Sequence, residues 1–189
     1  MKHFVHIFLL LSMCFCFQVQ AQGLKTFKLK NGMSVFIWED SGKSDVFGEV
    51  VVRTGAVNDP EQYTGLAHYL EHVMFKGTQK IGALDWEKEA PIYEQIIAKY
   101  DEMAGENDPV RKEVIGKEIN NLTIEAGKIS LSNEFSELIE GMGGTGLNAG
   151  TSLDYTVFYN SFPAYQINKW LEISSERCVS PVFRTFQNE

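Results

Sequence analysis

Four histidines occur in this chain of 189 residues. His3 and His6 lie at the extreme N-terminus. The other two, His68 and His72, fall in the stretch GLAHYLEHVMFKGT (Gly65 to Thr78), with Glu71 between them. A helix turns about 100° per residue, so His72 sits about 40° from His68 around the axis and Glu71 about 60° to the other side. All three share one face. Two imidazoles at i and i+4 can grip one zinc ion, with Zn–N bonds of about 2.0–2.1 Å. A carboxylate on the same face can then take a proton from a water whose pKa such a metal lowers toward about 7. That is the chemistry of peptide hydrolysis at neutral pH. The competing reading is a pair of core histidines salt-bridged to Glu71. The neighbours Leu66, Ala67, Leu70, Val73, Met74 and Phe75 predict a buried helix with one polar stripe, and such a stripe is costly unless paired or metal-bound.

The elements that would hold this helix can be read outward from it. KTFKLKNGMSVFIWED alternates apolar and polar residues on both sides of Asn31-Gly32, predicting a β-hairpin with a two-residue turn. Asp45 to Ala56 is a more continuous apolar run and predicts a central strand. NDPEQYTG is a loop, with Thr64 the expected cap of the histidine helix. Between residues 85 and 128, Ile92, Ile96, Tyr100 and Met103 fall at helical spacing. GENDP then breaks the run, and Val110, Val114, Leu122 and Ala126 resume it. This predicts a charged helical hairpin inserted at about 85–128. A short helix, a glycine cluster and a strand carrying Thr156 to Tyr159 follow. PAYQINKWLEISSERCV is then an amphipathic helix with Ile167, Trp170, Leu171 and Ser174 or Cys178 on one face. The glycine cluster GMGGTG, Gly141 to Gly146, matches G-x-G-x-x-G letter for letter. It stands after a helix and before a strand, the reverse of the dinucleotide-binding order, so it predicts a flexible connection.

Composition narrows the class. Residues 1–21 read as a secretory signal peptide: Lys2, an apolar run from Phe4 to Phe17, and the small-x-small site Val19-Gln20-Ala21. The run is shorter than the roughly 20 apolar residues that span a bilayer, so the mature chain is expected to be exported, periplasmic or extracellular, with no membrane span. Past the leader, Cys178 is the last cysteine and no intramolecular disulfide can form. A formal charge of −8 and a pI near 5.1 disfavour nucleic acid as a partner.

The arrangement H-x-x-E-H is the inverted zinc motif, and the chain closely resembles the pitrilysin–insulinase family of zinc metallopeptidases (inverzincins). KNGMSVFIWED resembles the family's first hairpin. VVVRTGAVNDPEQYTGLAHYLEHVMFKGT resembles its strand, loop and catalytic helix, and LNAGTSLDYTVFYNSF the strand beside the substrate. The 85–128 hairpin exceeds the family's usual spacing. The resemblance implies an α+β fold, a mostly antiparallel sheet with helices packed on one face, spanning residues 22–189. It implies Zn2+ as cofactor, His68 and His72 as its ligands, Glu71 as general base, and Asn148 and Ala149 as contacts to the backbone of a peptide laid along the strand edge. The family's third ligand, a glutamate, is expected beyond Glu189, which resembles an acidic residue about two helical turns ahead of it. The chain is therefore expected to be a C-terminally truncated piece of a zinc metalloendopeptidase, with peptide substrates and the remaining domains of the full-length chain as partners, and inactive by itself. The alternative is a non-catalytic, peptide- or partner-binding subunit of a peptidase pair.

Overall fold

The computed structural model describes residues 23–186. The signal peptide expected at 1–21 and the acidic residue Glu189 lie outside the described residues. The fold is α+β, with two small antiparallel sheets and five α-helices among the described residues. The chain divides into two units, Met1–Lys43 and Ser44–Glu189.

The first unit is the hairpin of β1 (Leu24–Lys28) and β2 (Ser34–Trp38), paired antiparallel from Leu24 opposite Trp38 to Lys28 opposite Ser34. Its turn corrects the two-residue expectation. Gly32 N–H donates to the Leu29 carbonyl (3.0 Å) and Leu29 N–H to the Met33 carbonyl (2.8 Å), so three residues make the loop. A two-residue type I′ turn needs positive φ at both central residues. Here Gly32 alone turns left-handed, at φ 88°.

The second unit is built on a sheet in the order β3-β5-β4: β3 (Asp45–Val52), β4 (Thr145–Thr151) and β5 (Thr156–Pro163). The apolar run of β3 predicted a central strand, but in this sheet it is an edge. The centre is β5, whose residues alternate buried and half-buried because both neighbours and the helices on one face cover it. Cross-strand register puts Val46, Gly48, Val50, Phe158 and Phe162 on the covered face. Val46, Val50 and Phe162 pack with Phe135, Ile139, Met142, Trp170 and Ile173 into the main core. Gly48 is required there. A Cβ would sit 2.4 Å from Cζ2 of Trp170, whose indole stacks on Phe162 (centroids 5.1 Å apart) and donates to Asn160 Oδ1 at 2.8 Å.

The covering helices are α1 (Leu66–Val73), α4 (Glu134–Gly141) and α5 (Ile167–Val179). The buried face of α5 is Trp170, Ile173, Ser174 and Arg177. Ile167, Leu171 and Cys178, expected on that face, are exposed. All three lie within α5, so the difference is the way tertiary packing rolls the helix about its own axis. Pro163 closes β5 and a 3-10 turn, Ala164–Gln166, intervenes. The glycine cluster ends α4 by a Schellman cap. Gly143, at φ 85°, donates to Glu140 O, and Gly144 N–H reaches Ile139 O at 2.8 Å.

The inserted hairpin is α2 (Trp86–Gly105) and α3 (Pro109–Gly127), capped by Asp85 and Asp108 with Pro109 in the first turn. Ile96, Ile115 and Ile119 form a core of their own, flanked by Ile92, Tyr100, Met103 and Phe186. Val110 and Val114, read as part of the α3 stripe, are exposed; Ile115 and Ile119 carry it instead. The hairpin is rooted by backbone bonds, Leu84 N–H to Ile129 O and Leu131 N–H to Gly82 O, and by a buried ion pair. Arg184 grips both Glu89 oxygens (2.5 and 3.0 Å) and donates to the carbonyls of Lys76, Thr78 and Ile81.

Candidate active site

The histidines, the glutamate and the edge of β4 are placed by three devices. The first is the start of α1. Thr64 was expected to cap it. Gly65, at φ 91°, occupies the cap position instead, and the exposed N–H groups of Gly65 and Ala67 are taken by the two carboxylate oxygens of Asp59, at 2.6 and 2.8 Å. A carboxylate does this better than a hydroxyl because it accepts two bonds at once and complements the positive end of the helix.

The second device is the helix period. His68 and His72 both face solvent, and their Nε2 atoms stand 3.2 Å apart. Two Zn–N bonds of about 2.05 Å at a tetrahedral angle place their nitrogens about 3.3 Å apart, so this pair fits one zinc ion. One ligand-capable atom from each of His68, Glu71 and His72 lies within 4.8 Å of the others. The prediction of a wholly buried helix with a polar stripe is corrected. Ala67, Glu71 and Val73 are buried, whereas both histidines, Leu66 and Leu70 are exposed. The helix lies at the border of the core, so both imidazoles lie on its exposed side while Glu71, only 9% exposed, reaches inward.

The third device, invisible in local sequence, fixes Glu71. The Thr151 hydroxyl donates to Glu71 Oε2 at 2.6 Å. Thr151 and Thr156 are opposite each other where the β4–β5 turn begins and ends, with hydroxyl oxygens 3.3 Å apart. Thr156 donates to the Thr54 carbonyl at 2.9 Å. The only sequence signal was the pair of threonines flanking the turn SLDY.

Asn148 and Ala149 lie on β4, an edge strand of its sheet. They line a cleft of about 340 Å³ together with Glu71, His72, Phe75 and Leu147. Asn148 Oδ1 accepts the Ala149 N–H at 2.9 Å, so a backbone donor at this edge is held by the neighbouring side chain. Behind the cleft, Arg177 is buried under three rings, its guanidinium carbon 4.4 Å from the centroid of Phe158, 4.7 Å from Phe135 and 5.5 Å from Phe75. Its Nε and Nη1 have no hydrogen-bond partner among the described residues, and burial pushes its pKa down to about 10.

Residues 35–91, from β2 through the histidine helix into α2, match the family model described as Insulinase (Peptidase family M16). Over that stretch the chain is similar to the pitrilysin/insulinase family. Over 58 residues it is 41% identical to Protease 3 of Escherichia coli K12, covering 31% of this chain and 6% of that protein. The fold resembles a protease from Helicobacter pylori, with a TM-score of 0.55 at 20% identity over 86% of this chain and 27% of that one. It also resembles the first half of the periplasmic protease PqqL from Escherichia coli, with a TM-score of 0.54 at 22% identity over 85% and 25%. The M16-like chain thus spans a small fraction of the proteins it matches. Those proteins are peptidases, and the family match takes in β2, β3 and the histidine helix.

Proposed function

We propose that this chain carries the metal-binding helix and substrate edge of an exported zinc metalloendopeptidase. The observation that carries the reading is the His68–His72 pair, whose Nε2 atoms stand 3.2 Å apart with Glu71 on the same turn of helix. Zinc, when bound, would polarise a water and the scissile carbonyl. His68 and His72 would hold it through Nε2, with a third ligand from a glutamate past Glu189. Glu71 would accept the proton of the attacking water and pass it to the leaving amine, a role for which its place beside the histidines suits it. Asn148 and Ala149 on the β4 edge would take the backbone of an extended peptide, Asn148 first releasing the Ala149 N–H. Export is supported by the leader-like sequence of residues 1–21 and by the periplasmic protease among the structural relatives. No helix among the described residues is long and apolar enough to cross a membrane.

The test uses the intact gene product. Glu71→Gln should keep zinc and lose peptide hydrolysis by about 10²–10⁴-fold, the usual contribution of a positioned general base. His68→Ala or His72→Ala should lose the metal. A Glu71→Gln enzyme as active as the natural one would end the assignment.

A further inference from the structure

Glu71 lies between an exposed pair of histidines and the interior, and something must decide which way its carboxylate faces. Nothing on its own helix does so. The nearest committed partner is on another element and far away in sequence. Thr151 Oγ1, at the end of β4, donates to Glu71 Oε2 at 2.6 Å, a short charge-assisted contact.

Counting protons fixes the direction of that bond. Thr156 has one hydroxyl hydrogen and gives it to the Thr54 carbonyl at 2.9 Å. A hydroxyl carries one donor and two acceptor sites. Thr156 therefore faces Thr151, 3.3 Å away, with a lone pair, and the Thr151 hydrogen is left for Glu71. Thr156 is buried and pinned to the backbone beyond β3, and Thr151 is half-buried opposite it in register. Both are β-branched and stiff at χ1. The pair thus forms a rigid bracket rather than a passing contact, and it holds one carboxylate oxygen, Oε2. The other, Oε1, has no hydrogen-bond partner in the protein among the described residues.

We infer that Thr151, braced by Thr156, is a positioning residue: its hydroxyl holds Glu71 by Oε2 and fixes the carboxylate orientation used in catalysis. The inference rests on the peptidase reading for its catalytic consequence, but the bracket itself can be tested without catalysis. Thr151→Val swaps a hydroxyl for a methyl at nearly constant volume, and Thr151→Ser keeps the hydroxyl. In the zinc-loaded gene product, Thr151→Val should lower kcat about 10–100-fold, the range for partners that orient active-site groups. KM and zinc stoichiometry should be unchanged, and Thr151→Ser should restore most of the rate. A Thr151→Val enzyme within twofold of the natural kcat, or a serine variant as slow as the valine one, overturns the role. Should the valine variant fail to fold, Thr151→Ser against Thr151→Ala makes the same comparison.

The second readout is urea unfolding of the metal-free protein. Thr151→Val should lower the midpoint in the natural background and leave it unchanged in Glu71→Ala, because the hydroxyl acts through that carboxylate. Equal losses in both backgrounds overturn the bracket. This cycle decides the matter even if the natural protein hydrolyses nothing, so a failure of the peptidase reading is distinguishable from a failure of this one.

Discussion

Removing Arg184 should do more damage than removing any exposed charge in the chain. Its guanidinium is buried and uses every face. Nε and Nη2 reach the two oxygens of Glu89, at 2.5 and 3.0 Å, Nη2 also donates to Thr78 O at 2.7 Å, and Nη1 is shared between Ile81 O at 3.1 Å and Lys76 O at 3.3 Å. Glu89 is itself 1% exposed. Arg184→Met fills much of the volume but strands a buried carboxylate. Breaking a buried pair from one side costs about 3–5 kcal/mol, and a carbonyl left without its donor adds to this at about 1 kcal/mol per bond. We expect a loss of about 6–8 kcal/mol, a large part of the roughly 5–15 kcal/mol that stabilises a domain. Glu89→Leu combined with Arg184→Met should be less destabilising than Arg184→Met alone by about 2 kcal/mol, since no carboxylate is left behind. The assay is urea unfolding followed by far-UV circular dichroism and by the fluorescence of Trp86, whose ring lies 5.8 Å from the guanidinium. A single variant that loses less than about 1 kcal/mol, or a double variant whose loss equals the sum of the two singles, would refute the reasoning. The functional stake is the loop after α1: Lys76, Thr78 and Ile81 are held by this one side chain, so its loss should also loosen the C-terminal end of the histidine helix.

Two further outcomes follow from the geometry. Asp59→Ala removes both acceptors at the start of α1 and should cost about 1–2 kcal/mol in urea unfolding, with Asp59→Asn losing less because its single carbonyl oxygen still accepts one of the two N–H groups. Arg177→Met should raise stability by about 1 kcal/mol at pH 7: a guanidinium whose pKa burial has pushed down to about 10 bears a desolvation cost of roughly 3 kcal/mol, against about 2 kcal/mol regained from three aromatic faces. Below pH 10 the group is charged in folded and unfolded chains alike, so the cost is present in full. It is relieved as the pH rises through 10, where the folded form releases its proton first, and the advantage of methionine should shrink there.

What the sequence disclosed was whatever is encoded within one element. The i, i+4 spacing of His68 and His72 places both nitrogens on one helix edge whatever surrounds it, because the helix period alone sets that distance. The break at GENDP, with Asp108 and Pro109, is legible for the same reason: a cap is a local bond. Most of the misses concern how one element meets another. Thr64 looked like a cap because it precedes the helix, but Asp59 reaches over the loop and accepts two N–H groups instead of one. The apolar run of β3 looked central, yet centrality depends on which strand collects two neighbours, and β5 does so with a sequence no more apolar. Val114 and Ile115 are both plausible core residues in α3; only the rotation of α3 against α2 buries the second. Above all, Glu71 could be assigned a role from its helix but not a conformation. The hydroxyl that orients it lies 80 residues away, at the end of a strand whose register is set by β5. The donor set of such a site can therefore be written down from a few consecutive residues. Its orientation depends on the tertiary fold, and a sequence that keeps His68, Glu71 and His72 but replaces Thr151 with valine would retain the motif while losing the bond that holds the carboxylate.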